Sequence, residues 1–208
     1  MTYPKTTRGL GLLERFLANK RAQHANNLIP QSLHGGRILD IGCGTYPAFL
    51  QLTDFSEKYG IDKTYSNLWE FGFKDQPIKL ILHDIETERS LPFPNEYFDV
   101  VTMLAVFEHI APENLIKVSQ ESLRVLKPGG LLIITTPAKR TGFILNTLAC
   151  LGLISRQEIK DHKILHTPDS IIKILRQGGF SSSDIEFGYF EFHMNTWVKA
   201  IKQVSIVQ

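Results

Sequence analysis

The segment Asp40-Ile41-Gly42-Cys43-Gly44-Thr45 constrains the fold of this chain more than any other. It closes a short apolar run, Arg37 to Ile41, and leads into Tyr46 to Phe55, which read as a helix with Pro47 near its start. Glycines at such a junction remove side chains where the backbone turns sharply or passes close to a ligand. Strand, glycine turn and helix in that order open a parallel α/β unit.

The same alternation continues along the chain. Tyr59 to Asp62 reads as a second strand, Lys79 to Asp84 as a third and Phe98 to Leu104 as a fourth. Pro112 starts a helix reaching Leu126, since proline suits a first helical turn. Lys127-Pro128-Gly129-Gly130 then reads as a turn before a fifth strand, Leu131 to Thr135. Thr167-Pro168-Asp169 combines a hydroxyl cap, a proline and a first-turn acid, and the helix it opens stops at Gly178-Gly179. Ile185 to Phe192 and Asn195 to Gln203 have no helix between them, so they form an antiparallel hairpin at one edge. Arg8 to Leu28 carries apolar residues at helical spacing and reads as a helix outside the core. The expected class is α/β, a mainly parallel sheet with helices on both faces.

The acids around the glycines say what the loop could hold. A dinucleotide loop needs glycines at its first, third and sixth places, and the sixth place here is Pro47. Asp40, two residues before Gly42, suits a ligand bearing an ammonium group and repels phosphates. Asp62 follows the glycines by about twenty residues, where an acid accepts hydrogen bonds from ribose hydroxyls. Asp84 ends the third strand with Ile85 after it, an acid and an apolar neighbour fit for an adenine amino group and ring face. Any one of these acids could instead be a solvated turn residue or a helix cap. No phosphate-binding lysine pattern accompanies them.

Taken as an ordered set, these motifs resemble the class I methyltransferases that use S-adenosylmethionine (SAM), specifically the type-11, UbiE-like group acting on small molecules and lipid-linked acceptors. The set comprises Ile38-Leu39-Asp40-Ile41-Gly42-Cys43-Gly44, Gly60-Ile61-Asp62, His83-Asp84-Ile85, Leu91-Pro92-Phe93-Pro94 and Phe98-Asp99-Val100-Val101. It continues with Glu108-His109-Ile110, Leu123 to Gly130 and Gly178-Gly179-Phe180. The resemblance implies a Rossmann-like seven-stranded sheet in the order 3-2-1-4-5-7-6, with strand seven antiparallel. It implies that Asp40, Gly42 and Gly44 hold the methionine part of SAM, that Asp62 binds the ribose, that Asp84 with Ile85 binds the adenine, and that Lys63 also belongs to the cofactor site. Leu104 would supply backbone near the sulfonium. Tyr46 stands where the group usually has a third glycine, and it either folds over the cofactor or leans away. The chain is expected to be one domain over residues 1–208, with 1–36 a helical extension and 138–166 an insertion on the acceptor side.

Methyl transfer from a sulfonium needs alignment first, and a base only where the acceptor must lose a proton. Candidate bases are Glu108, His109, His162 and His166, although the preferred reading of Glu108 and His109 is that they fix their loop by hydrogen bonds. Glu158, His162 and His166 would share a face of one helix and suggest a metal, but Thr167 caps a new helix and breaks that face, so no metal is expected. Acceptor contacts are expected from Arg8 to Leu28, from Tyr65 to Phe73 and from Phe143 to His166.

Other classes fit less well. A net charge of +2 with scattered basic residues argues against stable nucleic-acid binding. The Asn/Asp-Pro-Pro-aromatic motif of DNA amino-methylases is absent where Leu104-Ala105-Val106-Phe107 stands. Cys43 and Cys150 form no disulfide framework or zinc pattern, and neither a secretory start nor a transmembrane segment is visible, so a cytoplasmic protein is expected. An NAD(P)-dependent oxidoreductase and a non-catalytic SAM-binding regulator are the alternatives.

Overall fold

A computed structural model describes residues 12–66, 78–88, 90–138 and 166–204. Seven strands form one sheet in the order β3-β2-β1-β4-β5-β7-β6, as expected. They are β1 (Arg37–Ile41), β2 (Glu57–Asp62), β3 (Ile78–Leu82), β4 (Phe98–Leu104), β5 (Leu126–Pro137), β6 (Ile185–Phe190) and β7 (Asn195–Ile201). The first five pair in parallel, and β7 runs antiparallel to both β5 and β6.

Alternate residues of the central strands enter two separate cores, which is why those strands read as unbroken apolar runs. Leu39, Ile41, Val101, Met103, Leu132 and Ile134 face one core. There they meet Leu115, Val118 and Val125 of α3 (Pro112–Val125) and Ile171 and Leu175 of α4 (Pro168–Gln177). Ile38, Val100, Leu131 and Ile133 face the other, against Ala22 and Ala25 of α1 (Leu12–Asn27) and Phe49 and Leu50 of α2 (Ala48–Leu52). Helices thus cover both faces.

The helix ends follow their sequence signals. Pro112 opens α3, with Glu113 in its first turn and Arg124 in its last. The Thr167 side chain accepts the Ser170 amide and Ser170 reciprocates on the Thr167 amide, a two-way cap that the sequence showed only in half.

Four expected boundaries need correction. The helix expected over residues 46–55 is only the five residues Ala48–Leu52, because Pro47 bars an earlier start and the chain turns extended at Thr53. The turn expected at Lys127 to Gly130 is part of β5, since Gly129 and Gly130 exchange backbone bonds with Lys202. The third strand stops at Leu82, so Asp84 lies two residues beyond its end. The closing strands stop at Phe190 and Ile201, because Glu191, Phe192 and His193 all turn left-handed between them.

Several matched motifs prove architectural. The Arg124 guanidinium donates to the carbonyls of Leu91 and Phe93 and to Glu121, which in turn accepts the Leu91 amide. The Leu-Pro-Phe-Pro loop is thereby clamped to α3. Asp99 accepts the Arg37 amide and the Lys127 ammonium, joining the starts of β1, β4 and β5.

Candidate functional site

The glycine loop lies at the C-terminal ends of β1 and β2, the rim where open α/β sheets receive ligands. Gly42 and Gly44 have φ of +74° and +72°, a conformation that costs other residues strain. A Cβ on Gly42 would come within 2.3 Å of the Val106 side chain, so glycine is what lets the loop after β4 close against the loop after β1.

The loop's amides are committed to protein acceptors. Gly42 and Cys43 both donate to the Ile61 carbonyl, at 2.8 and 3.1 Å, and Gly44 donates to the Asp62 carboxylate at 2.9 Å. Ala48, the first residue of α2, donates to the Tyr46 carbonyl. A pyrophosphate cradle needs free amides at a helix N-terminus. Here the amides of Gly42, Cys43, Gly44 and Ala48 are taken, and the helix is only five residues long.

Carboxyl groups lie beneath and beside the loop. Asp40 is buried under the loop and accepts a 2.7 Å hydrogen bond from the Thr102 hydroxyl of β4. Burial, reinforced by the Asp62 charge and opposed by the Thr102 bond, pushes its carboxyl up to about 7. A ligand cation would favour the ionised form and recover part of that desolvation cost.

Asp62 closes β2 and accepts two amides, Gly44 on one oxygen and Thr64 on the other at 2.7 Å. Each oxygen keeps a second lone pair, so ribose hydroxyls can still donate to it. Lys63 is half exposed and lies 4.0 Å from Glu86. Asp84 accepts the Glu86 amide while its own amide donates to Glu88, and half-buried Ile85 packs against the larger core. Leu104 ends β4 on the same rim, followed by Ala105 at a φ of +56°. The expected cofactor residues therefore come together along one edge, and the acidic rim fits a cationic nucleoside such as SAM.

Tyr46 does not fold over the loop. Its hydroxyl donates to Gln51 at 2.8 Å and its ring packs on the smaller core beside α2.

Three of the base candidates lie around one turn. Glu108 and His109 form the 3-10 turn Phe107–His109 immediately after β4, with Glu108 buried. His166 is buried just before α4, its ring edge-on to Phe107 at 5.1 Å, and burial lowers its pKa. Glu158 and His162 lie outside the described residues, as do Cys150, Phe143 to Ile154 and the aromatics Trp69, Phe71 and Phe73. Three contributors went unread in the sequence: Thr102, Ala105 and Val106. Only glycine advertises a left-handed backbone in a sequence, and Ala105 carries no such mark.

Comparison with known proteins finds methyltransferases. A methyltransferase-domain family model matches residues 39–134. An uncharacterized protein of Methanocaldococcus jannaschii is 35% identical over 136 residues, covering 64% of this chain and 50% of its own length. The ubiquinone/menaquinone biosynthesis C-methyltransferase UbiE of Vibrio parahaemolyticus is 30% identical, covering 48% of this chain and 40% of its own length. The tRNA N(3)-cytidine methyltransferase METTL2 of Gallus gallus is 28% identical over 57% of this chain and 35% of its own length. The chain thus spans half or less of these curated relatives. Among solved structures, the putative methyltransferase bound to the Trm112 activator of Haloferax volcanii aligns with a TM-score of 0.69 at 14% identity, over 92% of this chain and 94% of its own. A SAM-dependent methyltransferase of Thermotoga maritima aligns at 0.67 and 18%, over 92% of both chains. At such identities these two establish the fold.

Proposed function

We propose that this chain, whose residues 39–134 match a methyltransferase-domain family model, is a type-11 class I SAM-dependent methyltransferase that transfers a methyl group to a small-molecule, glycan or lipid-linked acceptor. SAM is the cofactor. Asp40, Gly42 and Gly44 take its methionine part, Asp62 and Lys63 its ribose, Asp84 and Ile85 its adenine, and the backbone at Leu104 lies nearest the sulfonium. Bound there, SAM supplies a methyl group that is already activated. What remains for the protein is alignment, worth roughly 7–11 kcal/mol in well-oriented pairs.

One observation carries the preference for SAM over a dinucleotide. The Gly44 amide, which a phosphate would need, is spent on the carboxylate of Asp62, with buried Asp40 beneath the same loop. A pyrophosphate would meet two acids and an occupied donor. Tyr46, held against α2, leaves the loop unobstructed, which favours catalysis over a purely regulatory role.

The acceptor class rests on the near-neutral charge and on the resemblance to the UbiE-like group. The segment between Ala138 and His166 leaves and re-enters the fold on the sheet's ligand side, and we assign it to acceptor binding. The test is incubation of the purified chain with methyl-labelled SAM and cell extract, separated into lipid, glycan, small-molecule and RNA pools. Label in one of the first three pools is expected. Label in RNA alone overturns the acceptor class, and failure of the chain to bind SAM overturns the reading itself.

A further inference from the structure

Resting on the methyltransferase reading, we infer that the acceptor sits over the ends of β4, β5 and β7 and presents an N–H or O–H group to Glu108, which takes up its proton. Glu108 is 1% exposed, and among the described residues its carboxylate oxygens have no well-formed hydrogen bond, only the Thr136 hydroxyl and its own backbone amide close by. Native interiors seldom leave a buried carboxylate in that condition, because the loss of water is then uncompensated. It is not alone. Thr136 at the end of β5 and Thr196 at the start of β7 are register partners, so their side chains share one face of the sheet. Both are fully buried; among the described residues the Thr196 hydroxyl lacks a partner and the Thr136 hydroxyl has only the Glu108 carboxylate beside it. The Nε2 of His166, which packs on the neighbouring Phe107, lacks one as well. Four polar side chains with unspent hydrogen-bonding capacity therefore gather beside the last residue of β4, on the rim that holds the glycine loop.

The charges around Glu108 suit a base. Burial raises its pKa, while His109 on the same turn, Arg21 of α1 and the Thr136 hydroxyl favour its ionised form. His166, which packs on the adjacent Phe107, has its pKa lowered by burial. The carboxylate is thus more basic than a surface carboxylate. In the reaction the acceptor's N or O forms a bond to the methyl carbon, the carbon–sulfur bond gives its electron pair to sulfur, and the departing proton ends on a Glu108 oxygen. Thr136 and Thr196 supply hydroxyls able to orient a polar acceptor. An acceptor methylated on a carbon without a neighbouring acidic group would leave all four unused.

The probes are phenethylamine, tyramine and catechol, with their N,N,N-trimethyl and O-methylated forms as controls. The Glu108 carboxyl band, assigned in infrared difference spectra by its loss in Glu108→Gln, should shift when protein loaded with S-adenosylhomocysteine is saturated with at least one N–H or O–H probe, and not with its methylated form. Transfer to that probe should fall at least 100-fold in Glu108→Gln, and its rate should rise with pH as the carboxyl ionises. Thr136→Val should raise KM more than it lowers kcat. The SAM dissociation constant should stay within twofold in both variants. Should Glu108→Gln not fold, Glu108→Asp carries the same readouts. A band unmoved by every probe, a smaller loss of transfer, or collapse of SAM binding in the variant overturns the inference. Failure of the unaltered chain to bind SAM instead defeats the cofactor reading.

Discussion

Asp40 and Asp62 do different work although both stand on the ligand rim. Asp62 is half exposed and fixed by two backbone amides, so removing it frees two donors and takes an acceptor from the ribose. Asp62→Ala should weaken SAM binding at least tenfold and lower Tm by a few degrees, the loss of charge-assisted bonds being worth about 1.5–3 kcal/mol each. An unchanged dissociation constant in calorimetry would remove Asp62 from the ribose site. Asp40 is buried, with its pKa raised to about 7. A raised folded pKa means that stability present below the ordinary carboxylate range is lost as pH rises through 7. Asp40→Asn should therefore raise Tm at pH 8, leave it unchanged at pH 4, and weaken SAM binding at pH 8. In the unaltered protein, affinity for SAM should fall as pH drops below 7, by up to about tenfold per unit, with a proton released on binding. A pH-independent affinity would show that Asp40 does not sense the ligand cation.

At the scale of elements, the site depends on how closely two loops approach. Gly42→Ala forces a Cβ into Val106 at a positive φ, so it should cost about 1–3 kcal/mol of stability and loosen cofactor binding. Gly42→Ala with Val106→Ala should recover part of the loss, because the clash is removed while the backbone strain remains; full additivity in a double-mutant cycle would show the loops to be uncoupled. Removing the cap with Thr167→Ala should lower stability by about 1 kcal/mol with no change in SAM affinity. Elements were the most legible level of the sequence. The glycine loop, the Thr167 cap and the Gly178-Gly179 stop follow local rules, and so could be read residue by residue. The Thr102–Asp40 bond spans 62 positions and appears only once β1 and β4 pair in register. Boundaries slipped where tertiary pairing overrode a local signal, as when the apparent Pro128-Gly129-Gly130 turn was drawn into β5 by Lys202.

Across the whole molecule, the parallel sheet gathers at one rim two functions that lie far apart in sequence. Asp40 within β1, Asp62 at the end of β2 and Asp84 beyond β3 line the edge that we propose for the cationic cofactor, and the polar group around Glu108 stands at the ends of β4, β5 and β7. Strand order was legible only through resemblance, since periodicity specifies strands and leaves their neighbours open. Titration of the purified chain with SAM and, separately, with NADH tests the central claim most directly. Saturable SAM binding that competes with S-adenosylhomocysteine, with no measurable NADH binding, is the predicted result; tight NADH binding with SAM inert would contradict it.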